Sequence, residues 1–290
     1  MPELPDLLYI RKYLESSITG KTITAVTIKQ PVVLRVAVDQ PFEDTIANKM
    51  IEAVGIHGPF LRFDLSGSID IVINLMLSGR LQHQRPSEKA EGHLCCSLML
   101  GDGSRINLSD ENKMAKLYVV QHGDYGLVPK YREQGVDIRS PRFTFQSFKE
   151  LARTHSRKQV RVFINDHTIM SAIGNAYADE ILFDARIHPK TFVSRLKEEE
   201  RSRLYSSITS VVEWGTQRVE AAAQPIHVKV RDHMKVRNRK GEPCPRCGTT
   251  IRREGVRGHD VFFCPRCQPA SRHLFIDWNK TGTDMKATTP

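Results

Sequence analysis

Apolar residues between positions 3 and 16 fall at Leu4, Leu7, Leu8, Ile10 and Leu14, near the 3.6-residue period of a helix, and Gly20 follows as a stop. This predicts an amphipathic first helix over 3–16. From Thr22 to about Val128 the pattern changes to short alternating or wholly apolar runs, among them Ile23, Val26 and Ile28, then Leu61, Phe63 and Leu65, then 69–77, 94–100 and 117–120. Glycines at 58, 67, 79, 101, 103 and 123 punctuate them, which predicts a β-rich domain of sandwich type. After Pro129 strand signals lapse, and the basic stretch through Arg161 reads as a linker leading into helices. Helical spacing returns at Ala178, Ile181, Leu182 and Ala185, and again at Leu204, Ile208, Val211, Val212 and Val219, ending before Pro225. Residues 227–240 mix apolar and basic side chains and run straight into a cysteine-rich segment. There is no internal repeat.

The expected architecture is therefore a multi-domain α and β chain. Its units are a β-sandwich with an N-terminal helix over 1–131, a helical unit over 132–226, a zinc ribbon over 227–270 and a flexible tail over 271–290, where Phe275 and Trp278 are available to stack on bases or on the ribbon. With 290 residues and 40% apolar content, the chain is long enough for two cores. No stretch approaches the roughly 18 apolar residues a membrane helix needs, and the N-terminus lacks a secretory pattern, so a soluble cytoplasmic protein without a membrane partner is expected. Monomer is the default oligomeric state.

Charge and cysteines sharpen the picture. Of the net +10, residues 226–290 carry +8, from 14 Lys/Arg against 6 Asp/Glu, while residues 1–225 carry only +2. A basic footprint concentrated around the ribbon has a phosphate backbone as its natural partner, the bland reading being a solvated basic tail. Cys244 and Cys247, then sixteen residues, then Cys264 and Cys267 give two CxxC turns with the spacing of a tetrahedral four-thiolate zinc site. All four ligands are supplied, so such a zinc is structural. Cys95 and Cys96 lie in an apolar run and read as packing residues.

Two further patterns have both a chemical and a bland reading. Pro2 follows the initiator Met1, and removal of Met1 leaves a secondary amine beside the carboxylate of Glu3. An α-amine titrates near neutrality and can attack an electrophilic sugar carbon to form an iminium; the bland reading is a helix-start proline with an acid favouring the helix dipole. Gly174-Asn175 lies where one helix would end and another begin, a place for phosphate or for an ordinary Asn cap.

Taken together, the PELP of 2–5, the LSG of 77–79, the GNAYADEILF of 174–183 with Ile187-His188-Pro189, and the RKGEPCPRCG of 239–248 resemble the formamidopyrimidine-DNA glycosylase and endonuclease VIII family. The resemblance runs from Met1 to about Gln268. It implies an N-terminal β-sandwich, a helix-two-turns-helix domain and a zinc-bound β-hairpin, with double-stranded DNA carrying damaged bases or abasic sites held between the halves. It also implies Pro2 as nucleophile at C1′, Glu3 assisting proton transfer and ring opening, and strand nicking by β-elimination.

The resemblance implies DNA contacts as well, some on changed residues. Leu77 stands for an intercalating methionine and remains an apolar wedge. Asn112, Lys113 and Met114 replace two arginines and a phenylalanine that fill the gap left by a flipped base. Pro59 occupies the place of a phosphate-binding lysine. His93, Asn175 and the cluster Arg157, Lys158 and Arg161 are retained as candidate contacts for backbone positioning. His259 falls where the family clamps phosphate with an arginine, and Arg257 lies two residues earlier; an imidazole lacks the guanidinium fork, which predicts weak δ-elimination. Two function classes follow: a bifunctional glycosylase and abasic-site lyase acting on oxidised or modified bases, or a relative that binds damage without normal turnover.

Overall fold

A single helix, α1 (Leu4–Ile18), joins the two main parts of the molecule. The computed structural model describes residues 1–38 and 40–270; the expectations for the tail, including Phe275 and Trp278, lie outside the described residues. After α1 come β1 (Ile23–Ile28), β2 (Leu34–Val36), the short α2 (Phe42–Ile46), β3 (Ile51–His57), β4 (Phe60–Leu65), β5 (Ile69–Asn74), β6 (Arg80–Gln84), β7 (Leu94–Leu100), β8 (Arg105–Ser109) and β9 (Lys116–Gln121). They form the predicted sandwich: a four-stranded sheet in the order β1-β7-β8-β6 and a five-stranded sheet in the order β2-β9-β5-β4-β3. Pairing is antiparallel except for β2 on β9.

The unbroken apolar character of β5 and β9 has a physical cause. Ile71, Ile73, Leu117 and Val119 face the main core, whereas Val72, Tyr118 and Val120 on the other face pack with Phe60, Val128 and Tyr131 in a second cluster. The segment after β9 thus folds back over the outer face, and both faces are dry. Cys95 and Cys96 are both buried, as expected of packing residues, although neighbours on a strand point to opposite faces; pairing shifts register between Leu94 and Cys96.

The expected linker before residue 161 holds two helices instead. These are α3 (Phe145–Thr154), capped by Thr144 and Ser147, and α4 (Val160–Asn165). Basic residues on the outer face of α3 and in the turn before α4 hid a buried stripe of Phe148, Ala152, Val160, Phe163 and Ile164. The helical part continues with α5 (Asn175–Ala185) and the 25-residue α6 (Glu198–Ala222), and the last elements among the described residues are the hairpin strands β10 (Arg252–Val256) and β11 (His259–Phe263). Among the described residues no helix is long and apolar enough to cross a membrane.

The two larger parts share their main core. Leu4, Leu7, Ile10, Leu14 and Ile18 of α1 belong to one hydrophobic cluster that runs from the sandwich into α3–α6. Each such side chain contributes roughly 1.5–3 kcal/mol on burial. α1 therefore fixes the two parts against each other and sets the position of the residues at its own start. A small separate cluster of Phe183, Val236, Ile251 and Phe262 lies with Cys244 and Cys264 under the hairpin.

Candidate active site and nucleic-acid interface

The start of α1 meets the start of α5. Glu3 is only 6% exposed, and its carboxylate accepts the Ala176 N–H at 2.9 Å and the Tyr177 N–H at 3.0 Å. These are first-turn donors of α5 with no partner inside their own helix. Gly174 permits the approach: a Cβ there would lie 2.4 Å from Glu3 Cγ and Cδ. Burial pushes the Glu3 carboxyl above its ordinary range, against the opposing pull of Arg231 and the two N–H groups. Its own N–H donates to Asp6 Oδ2 at 2.8 Å, and Arg231 grips Asp6 at 2.8 and 2.6 Å, so the corner is tied to the segment after α6.

Pro2 is buried against this corner, and the Met1 amine donates to the Leu77 carbonyl at 2.9 Å. Desolvation, with Lys229 adding to it, pushes this terminal amine down to about 5. The loop carrying Leu77 presents its side chain outward, 62% exposed, between the buried Leu75 and Gly79. A single exposed apolar residue is ordinary on a protein surface; this one sits beside the chain terminus, its carbonyl accepting the Met1 amine. Asp110 ties this loop to the next: Ser78 donates to it at 2.5 Å, as do the Asn112 N–H at 3.0 Å and the Ala115 N–H at 2.7 Å, while the Asn112 amide reaches Ser78 Oγ at 3.0 Å. Burial alone would raise the Asp110 carboxyl, but the hydrogen bonds from Ser78, Ala115 and Asn112 outweigh it and hold it low. Asn112, Lys113 and Met114 consequently project beside Leu77, all exposed. His93 is exposed as well, its carbonyl accepting the Asp110 N–H at 2.9 Å.

The other candidates are placed differently. Asn175 opens α5, and its Oδ1 accepts from Arg161 at 2.8 Å, which leaves its amide N–H groups as the outward donors. Arg161 itself is 3% exposed and bound to Asp179 at 3.0 Å. As a direct phosphate contact it is corrected: its guanidinium is consumed inside the fold, where it orients Asn175. Lys158 pairs with Asp166 at 2.9 Å, and Arg157 is exposed. Pro59 is buried in the β3–β4 turn. His259 is exposed at the start of β11, after a tight turn in which Arg257 and Gly258 both have positive φ, 47° and 81°. Neither hydrogen bond nor ion pair among the described residues joins Arg157 or the His259 side chain to the Glu3 corner.

Two acids in the middle of α5 organise the far side, and sequence reasoning overlooked both. Asp179, fully buried, accepts from Arg161, from Arg237 at 2.8 Å and from the Phe262 N–H at 3.3 Å. Glu180 accepts the N–H groups of Lys235, Val236 and Arg237 at 3.0, 2.9 and 2.9 Å. Adjacent acids within an otherwise apolar helix were the available signal. One helix thus holds Glu3 at its first turn and the approach to the hairpin at its second.

In that hairpin the sulfurs of Cys244, Cys247, Cys264 and Cys267 all lie within 4.8 Å of one another. Four thiols so gathered fit a tetrahedral zinc, with Zn–S near about 2.3 Å, and the protein holds one structural zinc there. No ligand position is left for substrate.

Three family models match the chain: the formamidopyrimidine-DNA glycosylase N-terminal domain over residues 1–117, the H2TH domain of the same enzymes over 134–225, and a zinc finger found in FPG and IleRS over 241–270. The formamidopyrimidine-DNA glycosylase of Pelotomaculum thermopropionicum is 30% identical over 275 residues, covering 92% of this chain and 99% of the relative. That of Heliobacterium modesticaldum is 31% identical over 284 residues, covering 92% and 100%. The crystal structure of the Fpg protein from Thermus thermophilus superimposes with a TM-score of 0.79 at 29% identity, covering 92% of this chain and 98% of that one. The Lactococcus lactis Fpg bound to DNA containing an abasic site has a TM-score of 0.83 at 22% identity, covering 92% and 100%, a likeness of fold.

Proposed function

Because the chain belongs to the formamidopyrimidine-DNA glycosylase family, we propose that it is a base-excision repair enzyme, a DNA glycosylase and abasic-site lyase that works through Pro2 and Glu3. The observation that carries this reading is the corner itself: a desolvated chain terminus next to a buried acid, behind the exposed Leu77. Once Met1 is removed, the Pro2 nitrogen is a secondary amine. Its lone pair bonds to C1′ of the extruded nucleotide as the glycosidic bond breaks, and the base leaves with that bond's electrons and takes up a proton. The new ammonium gives up its proton, and transfer of the Glu3 proton to the sugar ring oxygen opens the ring to an iminium. The iminium acidifies C2′–H, and loss of that proton expels the 3′ phosphate and nicks the strand. A carboxyl held high by burial carries the required proton over a wider pH range than an exposed one.

In this reading Leu77 enters the base stack, with Asn112, Lys113 and Met114 beside it, and His93, Asn175, Arg157, Lys158 and His259 meet phosphates. His259, with an imidazole in place of a guanidinium, makes δ-elimination weak. The substrate places the enzyme with DNA, in the cytoplasm or on a nucleoid. Boundaries near residues 131 and 226 belong to the same proposal, and the shared core makes the two larger units fold together.

Borohydride trapping tests it on duplexes carrying an abasic site, 8-oxoguanine, formamidopyrimidine or an oxidised pyrimidine, with Pro2→Gly and Glu3→Gln as comparisons. A covalent adduct on a lesion duplex that depends on both residues is expected. Lesion binding without any adduct, in protein that keeps Met1, would replace this reading by a damage-binding relative.

A further inference from the structure

Arg231 closes a ring of contacts around the candidate acid. The Glu3 carboxylate accepts the Tyr177 N–H, the Glu3 N–H donates to Asp6 Oδ2, Asp6 receives Arg231 on both of its oxygens, and the Arg231 guanidinium lies 5.6 Å from the centre of the Tyr177 ring. Residues from α1, α5 and the segment after α6 thus hold one another. Tyr177 is fixed in turn: a Cβ on Gly215 of α6 would collide with its ring, and its hydroxyl meets His233 Nε2 at 3.1 Å. Capping of α1 does not account for the ion pair, because an asparagine at position 6 would accept the Glu3 N–H as well, as glutamine does in a capping box. Nor does stability, since the side chains of Asp6 and Arg231 are only 7% and 22% exposed and desolvation offsets the attraction of such a pair. What a two-pronged guanidinium–carboxylate pair supplies is a fixed orientation.

We propose that Arg231 is a positioning residue of the reaction: acting through Asp6 and Tyr177, it locks the start of α1 against the start of α5 and so holds the Glu3 carboxyl where the sugar ring oxygen is to receive its proton. This inference rests on Glu3 being the proton donor for ring opening. Glu3 has its backbone on α1 and its carboxyl on the α5 N–H groups at 2.9 and 3.0 Å, so a slip of one helix start against the other displaces the proton. Displacement of a reacting group by about 1 Å can cost about a hundredfold in rate. The Leu4 N–H, donating to the Ala172 carbonyl at 2.9 Å, already ties the two segments along one line. A single bond of that kind is a hinge, and Arg231 supplies the second point that stops rotation about it. Its charge pulls the Glu3 carboxyl down against burial, so without Arg231 that carboxyl would keep its proton more firmly. A slower reaction in its absence therefore reports a displaced acid, not an acid that has lost its proton.

The test is borohydride trapping on an abasic-site duplex with protein in excess, in full-length zinc-loaded protein shown to lack Met1, with the saturating rate and the half-saturating protein concentration read separately. Arg231→Met should lower the saturating rate by about tenfold to a hundredfold and leave the half-saturating concentration near wild type. In a Glu3→Gln background the same substitution should cost less than about twofold, because a residue that works through Glu3 then has nothing left to position. Arg231→Lys keeps the charge without the fork. It should lose a smaller factor, again only when Glu3 is present, and it carries the cycle should the methionine variant fail to fold. An equal loss in both backgrounds overturns the proposal, and so does a loss confined to the half-saturating concentration, which would make Arg231 a DNA contact. If Glu3→Gln slows trapping but no folded Arg231 variant does, this inference alone has failed; if Glu3→Gln traps at the wild-type rate, the assignment of Glu3 has failed and takes this inference with it.

Discussion

The Glu3 corner and the zinc hairpin are built on the same helix by opposite strategies. The hairpin gathers its four sulfurs from 24 residues of chain, and its spacing alone announces the metal. The corner draws Pro2, Glu3 and Asp6 from one end, Leu77 and Asp110 from the sandwich, Ala176 and Tyr177 from α5, and Lys229 and Arg231 from beyond α6. A site closed by metal survives changes in its surroundings, whereas one closed by packing inherits every displacement in the fold. Since α5 holds Glu3 by its first turn and residues 235–237 by Glu180, the two sites share a support but not a source of stability.

Removing zinc should have the largest effect and should separate the two. Structural zinc supplies on the order of 10 kcal/mol to small zinc modules, so chelation or Cys247→Ser should disorder β10 and β11 and lower DNA affinity at least a hundredfold. The main core contains none of the four cysteines. Hydrogen exchange should therefore show protection lost over 244–267 and kept in α1 and β5; loss in both would mean that the corner depends on the metal.

Asp179 is where the two regions join. Asp179→Ala leaves Arg161 and Arg237 without their buried partner, and breaking such a pair costs about 3–5 kcal/mol. Urea unfolding should show that loss, and lesion binding should fall with it because Arg161 no longer orients Asn175. An effect below about 1 kcal/mol would mean that α5 is not the shared support.

Glu3→Gln should act on the corner alone. Loss of a general acid typically costs 10²–10⁴-fold, roughly 3–5 kcal/mol of barrier, so ring opening to the trappable iminium, and with it strand nicking, should fall by that factor while zinc content and DNA affinity stay near wild type. The pH dependence of stability has a definite sign. Since burial raises the Glu3 carboxyl in the fold, its contribution is fully present below the unfolded value of about 4.3 and is lost as pH rises through the folded one. The melting temperature of Glu3→Gln should accordingly gain on wild type as pH rises through that window, and a constant difference would show that the carboxyl is not perturbed.

How much of this the sequence could show follows from how each region is assembled. Four cysteines in two CxxC turns, a period-3.6 run before Gly20 and alternating runs between glycines are local signals, and the zinc site, α1 and the sandwich follow from them. The helices α3 and α4 were hidden because the basic residues of α3 and of the turn before α4 outweigh short buried stripes in composition. Arg161 looks like a member of a basic cluster until Asp179, eighteen residues on, is placed against it. Lys229, Arg231 and Asp110 carry no motif; their work is done across 152, 225 and 32 residues of chain.

The smallest expected effect tests the corner's packing most directly. Gly174 has φ −97° and ψ −169°, backbone that alanine adopts without strain, so the cost of Gly174→Ala is the collision of its Cβ with Glu3. Overpacking of this kind costs roughly 1–3 kcal/mol. Gly135 offers a matched control, since a Cβ there would meet the Ile169 backbone at 2.3 Å, away from Glu3. Both variants should lose stability in denaturant, but only Gly174→Ala should also lose iminium trapping and strand nicking, because relieving its clash moves the carboxylate off the Ala176 and Tyr177 N–H groups. If activity falls in proportion to stability in both, the corner is merely a part of the core; if it falls at 174 alone, the close approach of α1 to α5 is what places the proton.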